Sequence, residues 1–200
     1  MIKIKEKTVI EISKIKSGLN EDFESIKWLL KARQPDRIDW KPIFSKVYAD
    51  KKRLVCTDAK RMHLINNSFE INPGLYDVLV SDNKKIILSQ SDCEDKFPDY
   101  KSLIKNDEIL TEIIQTSIGL TDRTLPRLYQ NFYQKVGNKN ISFGFDMNFM
   151  KQAFRSDTSM SVLIKIVEGN YSGTDPIRIQ DNEENHVAVI MPILLKEYQK

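Results

Sequence analysis

The stretch Leu54–Ile65, LVCTDAKRMHLI, constrains this chain more than any other. Apolar Leu54 and Val55 give way at Thr57-Asp58 to a hydroxyl and a carboxylate, and the apolar run resumes through Met62, Leu64 and Ile65. Two short apolar runs around a polar corner read as strand, tight turn, strand. Thr57 and Asp58 can bond backbone N–H groups two residues on, which fixes such a corner, and Arg61 falls within reach of Asp58. Taken alone this is an ordinary structural hairpin. It commits this part of the chain to antiparallel sheet.

Composition sets the outer bounds. Two hundred residues suffice for one domain or two small ones with a real core. The 40% hydrophobic and 30% charged fractions are those of a soluble globular protein. No apolar run is long enough to span a bilayer, and the N-terminal MIKIKEKTVIEISKIK lacks the apolar core of a secretory signal. Cys56 and Cys93 show no paired spacing, so neither a disulfide framework nor a zinc site is expected and the cytoplasm is the expected compartment. A net charge of +3 permits a nucleic-acid partner without requiring one.

In chain order, the isoleucines and valine among the lysines of residues 1–16 suggest one or two short strands. Asn20 is a candidate cap, and Phe23, Ile26, Leu29 and Leu30 then fall at helical spacing, which predicts a helix over Glu21–Arg33 ended by Pro35. Trp40–Tyr48 and Arg53–Ile65 read as strands around Asp50-Lys51-Lys52. Leu75–Val80 and Lys84–Ser89 read as a hairpin around Ser81-Asp82-Asn83. Ile109, Leu110, Ile113, Ile114 and Ile118 fit a helix over Asp107–Ile118. LPRLYQNFYQKV, Leu125–Val136, fits another, with Pro126 in its first turn and Gly137-Asn138 as its stop.

The last third reads as a strand at Ile141–Phe145, a helix Met147–Phe154 capped by Asp146, and strands at Val162–Val167, Ile177–Gln180 and Val187–Leu194. Strand, helix and three strands is also the order of residues 8–80. The expected architecture is therefore α+β: two βαβββ halves with antiparallel sheets and the helices on one side. The first half covers residues 1–104 and the second 105–200.

LVCTDAKRMHL, FPDYKSLI at Phe97–Ile104 and the terminal IRIQDNEENHVAVIMPIL occur in that order. Together with ISFGFDMNFMKQAF, they resemble segments of the bacterial beta sliding clamp, the processivity subunit of DNA polymerase III. The resemblance covers both ends well and residues 105–140 poorly. It implies a DNA-clamp-like fold whose three segments meet in a pocket for short peptides of polymerases, loaders and repair proteins. The matching positions are Thr57, Arg61 and Met62, then Pro98 and Leu103, then Val189, Met191, Pro192, Ile193 and Leu195. Exposed Met, Leu, Ile and Pro beside an Arg suit an adaptable groove, whereas simple strand alternation would make Val189, Met191 and Leu195 core. The resemblance also implies helices facing duplex DNA with Lys27, Lys31, Arg33, Lys151 and Arg155, through sequence-independent phosphate contacts. Glu21, Asp22 and Glu24 dilute that stripe.

The chain also departs from the family. Clamps carry about three domains per chain, so closing a ring would take more copies of this one, a homo-oligomer. The usual Gly-His of the turn stands here as Ala59-Lys60, and the tail Lys196–Lys200 follows the last strand. A compact, divergent relative suits a phage or mobile-element setting. Two functions follow: a processivity ring that encircles DNA and tethers a polymerase, or a monomeric adaptor or competitor of a host clamp. No catalytic motif is present and no cofactor is expected, so the chain is not expected to be an enzyme. Asp58, Asp95 and Asp99 are candidates for the metal-binding carboxylate cluster of a nuclease, a reading ranked last.

Overall fold

The computed structural model describes residues 8–14, 21–34, 41–104, 110–116, 125–136, 143–166, 171 and 173–194. These form two compact units, Met1–Pro98 and Asp99–Lys200. Asn20, Pro35, the Gly137-Asn138 stop, Leu195 and the 196–200 tail lie outside the described residues.

The first unit contains β1 (Val9–Ser13), α1 (Glu21–Leu29), β2 (Val47–Ala49), β3 (Arg53–Thr57), β4 (Arg61–Asn66), β5 (Gly74–Ser81) and β6 (Lys85–Gln90). Its strands run in the order β1-β6-β5-β2-β3-β4, antiparallel throughout. α1 crosses this sheet because Phe23, Ile26 and Leu29 share one face, and all three are fully buried. Each contributes about 2 kcal/mol of burial. After Leu29 the helix tightens into a 3-10 turn, Leu30–Ala32. Pro42 starts a second 3-10 turn through Ser45, so the strand expected over Trp40–Tyr48 shortens to Val47–Ala49.

The hairpin corners of this unit are built alike. Asp50, Asp58 and Asp82 each use one carboxylate oxygen to accept the N–H groups two and three residues on, at 2.6–3.0 Å. The Thr57-Asp58 corner is thus one use of a repeated device.

The second unit contains β7 (Leu110–Thr116), α2 (Leu125–Val136), β8 (Phe143–Gly144), α3 (Met147–Ala153), β9 (Met160–Lys165), β10 (Ile177–Asp181), β11 (His186–Ile190) and β12 (Ile193–Leu194). Strands β11-β10-β9-β7 form an antiparallel sheet, and β12 pairs with β8 in a separate ladder. α2 and α3 lie over the face carrying Val162 and Ile177. The α+β antiparallel fold expected from the sequence is the fold found. The helix expected over Asp107–Ile118 is not found: its described residues, Leu110–Thr116, form a strand. A bulge between Glu112 and Ile114 inserts Ile113 into the ladder, so Ile113 and Ile114 are buried together. That break in alternation imitates helical spacing. Among the described residues, no helix is long and apolar enough to cross a membrane.

Candidate functional site

In the first unit, Thr57 pairs with Met62 at the turn end of the β3–β4 hairpin. Its hydroxyl donates to the Arg61 carbonyl at 2.7 Å and accepts the Ala59 N–H at 3.1 Å. Asp58 accepts the Lys60 and Arg61 N–H groups at 3.0 Å and, through its second oxygen, the Arg61 Nε at 3.0 Å. Thr57 and Met62 are buried and Arg61 is half-buried. Their polar atoms hold the corner, which makes the corner rigid.

The residue after Asp58 shows where that corner is strained. Ala59 sits at φ +72°, the left-handed region that an L-residue occupies at a cost of about 1 kcal/mol. Ala59→Gly is therefore expected to stabilise the unit by about 0.5–1 kcal/mol, read as a rise of a few degrees in thermal midpoint. An unchanged or lower midpoint would contradict the strain.

His63, next along β4, is fully buried. Its Nδ1 lies 2.9 Å from the Trp28 carbonyl, and its ring stacks on Trp28 at 4.2 Å. Burial pushes the imidazole down to about 3; the Trp28 carbonyl pulls the other way, and the Arg61 and Lys31 cations lower it further. This histidine is a neutral structural group. The unfolded chain takes up this proton near pH 6.5, so the contribution is complete above that value and is lost as pH falls toward 3. Between about pH 7 and about pH 5.5, urea unfolding should weaken by about 1.2 kcal/mol more in the native chain than in His63→Phe. Equal losses in both would refute the assignment.

Phe97, at the start of FPDY, is buried against Tyr48, the rings stacked at 4.7 Å, and Pro98 is exposed. In the second unit Asp99 accepts the Lys101 N–H at 3.2 Å and opens a 3-10 turn, Lys101–Leu103. Leu103 is 44% exposed. Among the described residues no three His, Cys, Asp or Glu side chains gather as a metal site, and Asp58 is committed to its own corner.

The end of the second unit carries two exposed apolar residues, Met191 and Ile193. Val189 is buried in β11, opposite Arg178 of β10. Pro192 has no N–H to donate, and at Met191-Pro192 the chain leaves the β10 ladder and joins β8 through β12. Met191 (37% exposed) and Ile193 (49%) flank that crossing, with Pro192 half-buried between them. Val189 is thus core, as strand alternation allowed, whereas Met191 and Ile193 face outward.

The cations expected to face DNA divide differently from the sequence reading. Lys31 and Lys151 are exposed; Lys27 is half-buried, its ammonium 2.6 Å from Asn83 Oδ1. Arg33 is half-buried and donates to the Ser45 carbonyl at 3.1 Å. Arg155 corrects the expectation outright. It is buried, its guanidinium paired with Asp157 through two hydrogen bonds and lying 2.6 Å from His186 Nε2, while His186 Nδ1 lies 2.8 Å from Asp181. A buried, paired guanidinium is no phosphate ligand. Nothing in the sequence around Arg155 marked it as interior, since its partners Asp157 and His186 are an adjacent loop residue and a distant strand residue.

No protein-family model matches the chain, and no curated protein matches it in sequence. Solved structures do match. The DNA polymerase III beta subunit of Thermotoga maritima superposes with a TM-score of 0.56 at 14% identity, covering 94% of this chain and 65% of that one. A DNA polymerase sliding clamp from Pseudomonas aeruginosa gives 0.53 at 9% identity, covering 94% and 67%. The chain spans about two thirds of the length of these clamps. The likeness is one of fold.

Proposed function

We propose that this chain is a sliding-clamp-type protein of DNA replication that captures a short peptide of a DNA polymerase or another replication partner. The observation that carries the reading is the exposed pair Met191 and Ile193 on either side of Pro192, in the segment that resembles the peptide pocket of beta clamps. Apolar side chains held outward by a proline crossing are ready contacts for a peptide, and Met supplies soft, adaptable surface. Leu103 adds a further exposed contact in the same unit, and Pro98 and Arg61 are the first unit's candidates. Fluorescence polarisation with a labelled C-terminal peptide of a bacterial DNA polymerase III polymerase subunit tests it. Saturable binding supports the reading, and no binding at high micromolar protein overturns it.

A second reading, an adaptor that does not encircle DNA, is favoured by one observation. Of the five cations expected to face DNA, Arg33 and Arg155 are engaged internally, which leaves Lys31 and Lys151 as the exposed ones. Light scattering over a range of concentrations and retention on circular against linear DNA separate the two. A closed oligomer held on circles supports the processivity ring, and a monomer that washes off both supports the adaptor.

A further inference from the structure

The second unit holds a cavity of about 470 Å³ that the peptide reading does not use. Leu128 and Phe132 of α2 face Met147 and Met150 of α3, over a floor formed by Val162 and Ile177. The Phe132 ring is fixed edge-on against Phe145 at 5.9 Å and Tyr171 at 5.6 Å, so one wall is rigid. The opposite wall carries two unbranched thioethers, which repack readily around a guest. At the mouth, the Tyr129 hydroxyl lies 2.9 Å from Met147 Sδ, and Gln130 and Gln134 are exposed.

We propose that this cavity is a binding site for an uncharged, largely apolar small molecule, aromatic or acyl in character, with at most one polar end at the two glutamines. Its volume lies within the range of ligand sites, about 300–1,000 Å³. Its chemistry selects the guest. Among the described residues that line it there is no charged side chain, so an ion would be desolvated without a partner. A peptide entering the same space would bury backbone N–H and C=O groups against Phe, Leu and Met side chains, which return no hydrogen bonds. A guest without such groups incurs neither penalty and covers apolar surface on both helices.

The test uses the whole chain and the uncharged dye N-phenyl-1-naphthylamine. Saturable fluorescence enhancement is expected, at one dye per chain, with a rise in thermal midpoint. Leu128→Trp and Met147→Trp fill the cavity from opposite walls, and each is expected to weaken the dye by about tenfold or more. Leu79→Ser removes an exposed apolar side chain of the other unit and should leave binding unchanged. Non-saturating binding, or binding indifferent to both tryptophans and reduced by Leu79→Ser, overturns the proposal. Should the tryptophan variants fail to fold, the native protein decides by the NMR signals of its methionine methyls. Shifts at Met147 and Met150 with Met62 and Met160 unmoved support the cavity, and unmoved signals at Met147 and Met150 overturn it.

Discussion

Met191→Asp is expected to weaken binding of the labelled polymerase peptide by about a hundredfold, equivalent to about 2.7 kcal/mol. The argument begins with where the side chain stands. Met191 is 37% exposed and lies between the β11 and β12 ladders, so its substitution removes no backbone hydrogen bond and opens no cavity. Folding should therefore tolerate it, and the thermal midpoint should move little. A bound peptide would cover this position. There, Asp replaces flexible apolar contact with a carboxylate that loses its water and gains no cation. Val189→Asp is the contrasting case, because Val189 is buried and a charge there should unfold the unit. If Met191→Asp folds normally and binds the peptide within about twofold of the native chain, the Met191–Ile193 surface is not the site.

How far this was readable beforehand depended on how local the cause was. The Asp146 cap of α3 was legible because it needs only a carboxylate followed by a helical pattern, and Asp146 accepts from the Asn148 and Phe149 N–H groups at 2.8 and 3.2 Å. The Thr57-Asp58 corner was legible for the same reason, and α2 began and ended where its pattern did. β7 was misread because its bulge is defined by the register against β9, which no window around Ile113 contains. The same holds for side chains. That Val189 faces in and Met191 out depends on a change of ladder at Pro192, and of that change only the proline is written in the sequence. Arg155 was misplaced because an arginine just past a helix reads as solvated until the strand bearing His186 is brought against it.

That arginine yields the sharpest separation between structural and DNA-facing cations. Arg155→Ala is expected to destabilise the second unit by about 3 kcal/mol. For the guanidinium to donate to His186 Nε2, that nitrogen must keep its lone pair, so the proton sits on Nδ1 and is donated to Asp181. Arg155 therefore orders a chain of partners running Asp157, Arg155, His186, Asp181. The arginine also holds the Asp157 carboxyl below its usual range, the sign of a pair that favours the ionised form. Removing it strands a carboxylate and a buried imidazole nitrogen together, which is why the loss should exceed that of a surface ion pair. Lys151→Ala is the opposite experiment. Lys151 is exposed on α3, so its loss should leave stability nearly unchanged; if the chain contacts DNA, it should reduce the salt dependence of that binding by about one phosphate contact. Urea unfolding and DNA binding measured across salt concentrations, on both variants, separate the two roles. An Arg155→Ala chain as stable as the native one, but weaker on DNA, would return Arg155 to the DNA face and remove the main support for the adaptor reading.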